Sequence, residues 1–360
     1  MDSLNVRCPI NKLSFGNISI NILRELYAQG FNINIFPVGN SIDASAFDNL
    51  DRDFFLYMQE SIFNRNRNVK RNYPFLNIWH LNGAESKISD YNILYTFHEC
   101  SELTESEKSI CRLYDKVVVS SRYSNKTFLD NGINNCSYAN PGFDTDFHST
   151  NKKYLEGKIH FGIMGKLENR KHTRKIIKLW LDKYGNNSNY QLTCLISNSF
   201  IKKDYMNQEI ALLNKNKCFN INFLDFLPKN SEVNDYLNSI DIDLGGLSGA
   251  EGWNLPCFNS CALGAFPIVL NCTAHKDWAD ADNSILVEPS GTQPIYDGTF
   301  FNKGDEFNQG DMYTFSDSDF YQAVDTAIDK AKISKNENGK ALQEKFTYKK
   351  TLNNILKDVL

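Results

Sequence analysis

No Cys-x-x-Cys pair occurs among the nine cysteines of this 360-residue chain, and no apolar run is long enough to span a bilayer. Cys257 and Cys261 stand one helical turn apart, with Cys272 and His275 further on. The apolar run between the two pairs should carry them apart, which argues against zinc. All nine cysteines read as buried or idle thiols of a reducing compartment. A basic balance is lacking as well. The formal net charge is −4, which argues against a dedicated nucleic-acid binder. No basic-then-apolar leader is visible at the N-terminus, so the expected location is cytoplasmic. Internal repeats, heptads and low-complexity tracts are also missing. What is there is an apolar fraction of 41% and a charged fraction of 23%, those of a soluble globular protein. The length fits two domains.

Both halves alternate strand and helix signals, a pattern that predicts parallel sheets with crossover helices. In the first half, Ser19 to Gln29 has helical spacing and stops at Gly30. Ile33 to Val38, Asn92 to Phe97 and Lys116 to Ser120 are β-rich. The polar stretch His148 to Gly157 reads as an interdomain linker. The second half restarts with Lys158 to Met164 (strand), Thr173 to Tyr184 (helix), Tyr190 to Ser197 and Asn220 to Phe223 (strands). Gly291 to Asp311 reads as a loop, and Asp317 to Ala331 and Ala341 to Leu360 as helices. The expected fold class is α/β, with two Rossmann-like domains and a cleft between them: residues 1–148, residues 158–335, and a C-terminal helix over 336–360.

The most informative segment is Ser248 to Leu270. A strand-like run, Ile240 to Leu244, ends in a small-residue loop that carries one carboxylate, Glu251. Pro256 then opens a helix, Gly264 closes it, and the apolar run Phe266 to Leu270 follows. This strand–loop–helix–strand unit puts an acid and free N–H groups at a strand's carboxyl end, where open α/β sheets bind ligands and helix N-termini favour phosphate. A second motif, Gly165-Lys-Leu-Glu-Asn-Arg-Lys-His172, also follows a strand. Two ammonium groups at such a junction can neutralise a diphosphate leaving group.

Together these motifs resemble the retaining GT-B glycosyltransferases of family four, through most of the chain. Glu251-Gly252-Trp253-Asn254-Leu255-Pro256 matches that family's Glu-Gly-Phe-Gly-Leu-Pro element, and Lys166 and Lys171 match its basic pair. The resemblance implies that Glu251 bonds a hydroxyl of the donor sugar, while N–H groups from Gly252, Trp253, Asn254 and Leu255 hold sugar and diphosphate. Ser14-Phe-Gly-Asn17 resembles the N-terminal glycine loop, with Gly16 letting the backbone approach the donor. Tyr95-Thr-Phe-His-Glu99 resembles the element whose histidine faces the reacting sugar, here His98, with Glu99 either orienting an acceptor hydroxyl or capping a helix. Arg170 is an auxiliary candidate.

One position departs from the pattern. The second glutamate of the family's Glu–seven residues–Glu motif falls on Asn259, which can bond ribose hydroxyls only without charge assistance. Pairs such as Asp241 and Asp243 have the spacing of a metal-holding triplet in the other major glycosyltransferase fold. In so aspartate-rich a chain they read as chance, and neither a metal nor another cofactor is expected. The resemblance implies a metal-independent transfer from a nucleotide-sugar donor to an acceptor hydroxyl. That acceptor is a glycan, a lipid-linked sugar, a protein or a modified DNA base. The other readings are an epimerase or phosphorylase on the same fold, or a non-catalytic sugar-binding descendant. The basic run Arg65 to Arg71 is either a solvated helix end or a contact for an anionic acceptor.

Overall fold

The computed structural model describes residues 2–39, 42–150 and 154–359. Fourteen strands are defined among the described residues. Six strands form the first sheet: β1 (Ser3–Cys8), β2 (Asn32–Pro37), β3 (Phe75–Ile78), β4 (Asn92–Thr96), β5 (Lys116–Val119) and β6 (Cys136–Tyr138). They pair in the order β2-β1-β3-β4-β5-β6, all parallel. A second sheet is built from β7 (Ile159–Met164), β8 (Tyr190–Leu195), β9 (Ile221–Phe223), β10 (Ile242–Asp243), β11 (Phe266–Leu270) and β12 (Ile285–Val287). Its order is β12-β11-β10-β7-β8-β9, again parallel throughout. Each sheet reverses direction once, between β1 and β3 and between β7 and β10. Such switch points leave a crevice at the carboxyl ends of the strands. The expected α/β class with two Rossmann-like sheets is what is found.

Each sheet is wrapped by helices over its own apolar core, one around Val6, Ile35 and Ile93, the other around Phe161, Trp180 and Ile268. The C-terminal helix Tyr348–Leu356 inserts Tyr348, Leu352 and Ile355 into the first of these, beside the helix Ser14–Ala28. Gly142 admits it, since a β-carbon there would stand 2.3 Å from the Tyr348 nitrogen. At the interdomain crossing, the Asn234 and Asn238 side chains accept from the His148 and Thr150 N–H groups. Residues 151–153 of the expected linker lie outside the described residues.

Three expectations need correction. The first helix begins at Ser14, five residues early, with no side-chain cap to mark it. Ala341 to Leu360 is not one helix: Phe346 is extended, and Thr347 caps a fresh start by accepting from the Lys350 N–H. The span 291–311 is more than a loop, because β13 (Gly291–Pro294) pairs antiparallel with β14 (Asp311–Thr314). Partners that far apart leave no local pattern, and the intervening turn is fixed by Asp297, whose carboxylate accepts three successive N–H groups from Thr299 to Phe301.

Candidate active site

A cavity of about 300 Å³ separates the carboxyl ends of the two sheets. Another cavity, near His172 and Lys175 on the outer surface, shares only Glu168 with it and faces neither sheet's switch point. On the second-domain side, β7 is followed by Gly165, whose φ of 149° turns the chain away. The aliphatic stem of Lys171 packs back over that glycine, 3.1 Å from where a β-carbon would sit. The motif Gly165 to His172 thus curls so that Lys166, Glu168, Arg170 and Lys171 all border the cleft.

Glu251 is the anion at their centre. Its Oε1 accepts from Lys171 Nζ at 2.6 Å, and its Oε2 lies 3.0 Å from Arg170 Nη1. A small-residue loop suggests a solvent-facing carboxylate, but Glu251 is only 5% exposed.

 Burial alone would raise its carboxyl; Arg170 and Lys171 overcome this and hold it well below the usual carboxylate range. Arg170 is itself buried, donates to the Ala250 carbonyl at 2.6 Å, and sits 2.9 Å from Glu168 and 3.8 Å from Glu99. Desolvation opposes its charge, but these carboxylates win and push its pKa up. Lys166 is different. It forms no ion pair among the described residues, and its ammonium lies 4.9 Å from the Phe200 ring centre and 5.3 Å from that of Phe300. Desolvation lowers its pKa, helped by Arg170 and Lys171.

The helix Leu255–Ala262 opens into the cleft with Asn254 as its N-cap, held in the left-handed region at φ 69°. Gly264 closes it at φ 101°, with N–H bonds from Gly264 to the Cys261 carbonyl and from Ala265 to the Ser260 carbonyl. Asn254 Nδ2 donates to the Gly245 carbonyl at 2.9 Å and lies 3.0 Å from Nε2 of His275. That leaves Asn254 Oδ1 buried without a partner among the described residues, and Asn259 Oδ1 is in the same state. Two orphaned acceptors beside a cluster of cations fit a ligand with hydroxyl donors and an anionic end. Trp253 takes part through its backbone only, because its ring is buried against Phe258 and Phe346. Gly252 touches the first domain: a β-carbon there would meet Phe97 Cβ at 3.2 Å, and its carbonyl accepts from Ser120 Oγ at 2.6 Å.

The first-domain wall departs from expectation. His98 is buried away from the cleft, its Nε2 3.1 Å from the Glu102 carbonyl and its ring edge against Phe128. Neighbouring residues on an extended chain point to opposite sides, so Phe97 and Glu99 line the cleft and His98 does not. Glu99 is no helix cap either, since Thr104 and Glu107 form the capping box of the next helix. The histidine in the cleft is His80, just beyond β3, with its ring 4.3 Å from that of Phe15. Desolvation between the domains lowers its pKa. A histidine just past a strand at the switch point was the signal available for it. Gly16 lies in the first helical turn and packs on the Asn11 carbonyl, while its neighbours Phe15 and Asn17 face the cleft.

Among the described residues, no three His, Cys, Asp or Glu side chains converge as a metal-binding set. The nine cysteines are free, and burial pushes those of Cys8, Cys111 and Cys272 up to about 12. No helix is long and apolar enough to cross a membrane.

No protein-family model and no curated protein matches the chain. Solved structures do. Sucrose-phosphate synthase from Thermosynechococcus elongatus superposes with a TM-score of 0.69 at 11% identity, over 98% of this chain and 96% of that one. The fold is GT-B. A glycosyltransferase from Rickettsia africae gives a TM-score of 0.67 at 13% identity, with 99% of each chain covered. HepE from Anabaena, solved in complex with UDP-glucose, gives 0.66 at 12% identity, covering 99% of this chain and 98% of that one.

Proposed function

We propose that the protein is a glycosyltransferase that moves a sugar, with retention and without a metal, from a nucleotide-sugar donor to an acceptor hydroxyl. The observation that carries this reading is the Glu251–Arg170–Lys171 cluster, set beside two orphaned acceptors at the paired switch points of a GT-B fold. UDP-glucose bound to HepE supports the donor class. In this reading Glu251 accepts from a hydroxyl of the donor sugar, while Asn254 and Asn259 accept from further hydroxyls, Asn259 from those of the ribose. The diphosphate lies against Lys166, Lys171 and the N-terminus of the helix Leu255–Ala262.

Charge decides which contacts matter most. A unit charge 4 Å from an ammonium gains about 4 kcal/mol at an effective dielectric constant of 20. A neutral hydrogen bond contributes about 1 kcal/mol. The lysines therefore carry the stabilisation of the departing diphosphate, and the asparagines carry recognition. The bond from the sugar carbon to phosphate breaks, a bond to the acceptor oxygen forms, and the acceptor proton leaves on the diphosphate. Phe15, His80 and Phe97 offer that acceptor a wall of ring faces, with Glu99 within reach of its hydroxyl.

The test is incubation with a panel of nucleotide-sugars, with and without pooled acceptors, followed by NMR and mass spectrometry. Transfer predicts nucleoside diphosphate and an α-linked product from an α-linked donor. Conversion of a donor to its isomer without acceptor would show an epimerase instead, and donor binding without turnover would show a non-catalytic descendant.

A further inference from the structure

We infer that the exposed face of the helix Arg52–Asn64, with the basic segment after it, is a docking surface for an anionic lipid bilayer. The inference stands apart from the transfer reading. Phe54, Met58 and Ser61 turn one side of this helix into the first-domain core. The other side leaves Phe55 41%, Leu56 43% and Phe63 69% exposed. Positions 52, 55, 56, 59 and 63 follow helical spacing, so these three apolar side chains share a face with Arg52 and Gln59.

The chain then enters Arg65, Arg67, Lys70 and Arg71. Neither these four nor Arg52 forms an ion pair among the described residues, whereas Lys108, Lys126 and Lys229 on the same domain surface or facing it do. Of the nearby carboxylates, Asp51 and Asp53 stand at the helix N-terminus, the far end from the basic run, with Asp51 engaged as its cap, and Glu60 is exposed between Leu56 and Phe63 at the edge of the apolar face. A chain of net charge −4 thus carries a local cluster of free cations next to its most exposed phenylalanine. Nucleic acid would pair with the cations and leave Phe55 and Leu56 in water. An anionic bilayer satisfies both, with the apolar face at the headgroup boundary and the cations on lipid phosphates. The surface begins close to the cleft mouth: Ala46 lines the cleft, and Asp48 pairs with Lys229 of the second domain at 2.6 Å.

The test is co-sedimentation of the full chain with vesicles of phosphatidylcholine, with and without phosphatidylglycerol. Binding is expected only to the anionic vesicles and should weaken as salt rises. Arg67→Gln with Lys70→Gln should lower partitioning roughly fivefold for each cation removed. Phe63→Ser with Leu56→Ser should lower it at every salt concentration, and all four sites are exposed, so thermal melts should match wild type. Absence of binding to anionic vesicles at low salt overturns the inference, as does binding equal to wild type by both double variants. Binding to duplex DNA that is lost in the glutamine variant but unchanged in the serine variant would reassign the surface to nucleic acid.

Discussion

Asn259 sits where recognition and stability pull in opposite directions. Its Oδ1 is buried and unpartnered, and an orphaned buried acceptor costs about 1–3 kcal/mol in the ligand-free protein. Asn259→Leu keeps the volume and removes the orphan, so its melting temperature should equal or exceed that of wild type. The same change should weaken nucleotide binding roughly tenfold, the loss of one hydrogen bond of about 1.4 kcal/mol. Calorimetric titration with UDP, GDP and ADP alongside a thermal melt checks both halves. A lower melting temperature with unchanged affinity would make Asn259 a structural residue only. Glu251 shows how a single residue can be legible in place and not in environment. Its position in the motif was readable, but its burial depends on Arg170, 81 positions away, folding over it.

At the scale of elements, Asp243 joins β10 to the helix beneath the cleft. Its carboxylate accepts from the Gly245 N–H at 2.6 Å and from Ser260 Oγ. Desolvation raises its pKa to about 6 from an ordinary 3.8. Because the folded-state value is the higher one, the stability it contributes is full below 3.8 and is lost as pH rises through about 6. Asp243→Asn stays neutral throughout, so its melting temperature should gain on wild type between about pH 4 and pH 7, then level off. A constant difference across that window would show an unperturbed carboxyl. The elements around it were legible because their signals are local: Pro256 opens the helix, Gly264 closes it, and β11 follows at once. The ribbon β13–β14 and the break at Phe346 were not, because pairing partners and caps far from the apolar pattern decide them.

The whole molecule brings the site together, and there the sequence was weakest on the first-domain wall. Two parallel sheets follow from strand–helix alternation, and their switch points place the cleft. Which side chain of a strand end enters that cleft depends on a single residue of register, the step that turns His98 inward and leaves Phe97 and Glu99 facing the second domain. The domains are held face to face by bonds on both flanks, from Asn140 Nδ2 to Asp277 on one and from Asn230 Nδ2 to Asp146 on another. This arrangement sets Lys166 and Lys171 with His80 and Glu99 around one cleft. The most direct test is the turnover number for nucleoside-diphosphate release by Lys171→Met, measured on whichever donor the wild type consumes. The expected result is a fall of roughly 10²–10³ in a folded protein, the range for removing one preorganised charge contact from a transition state. Turnover equal to wild type would contradict the assignment of this cleft as the donor site.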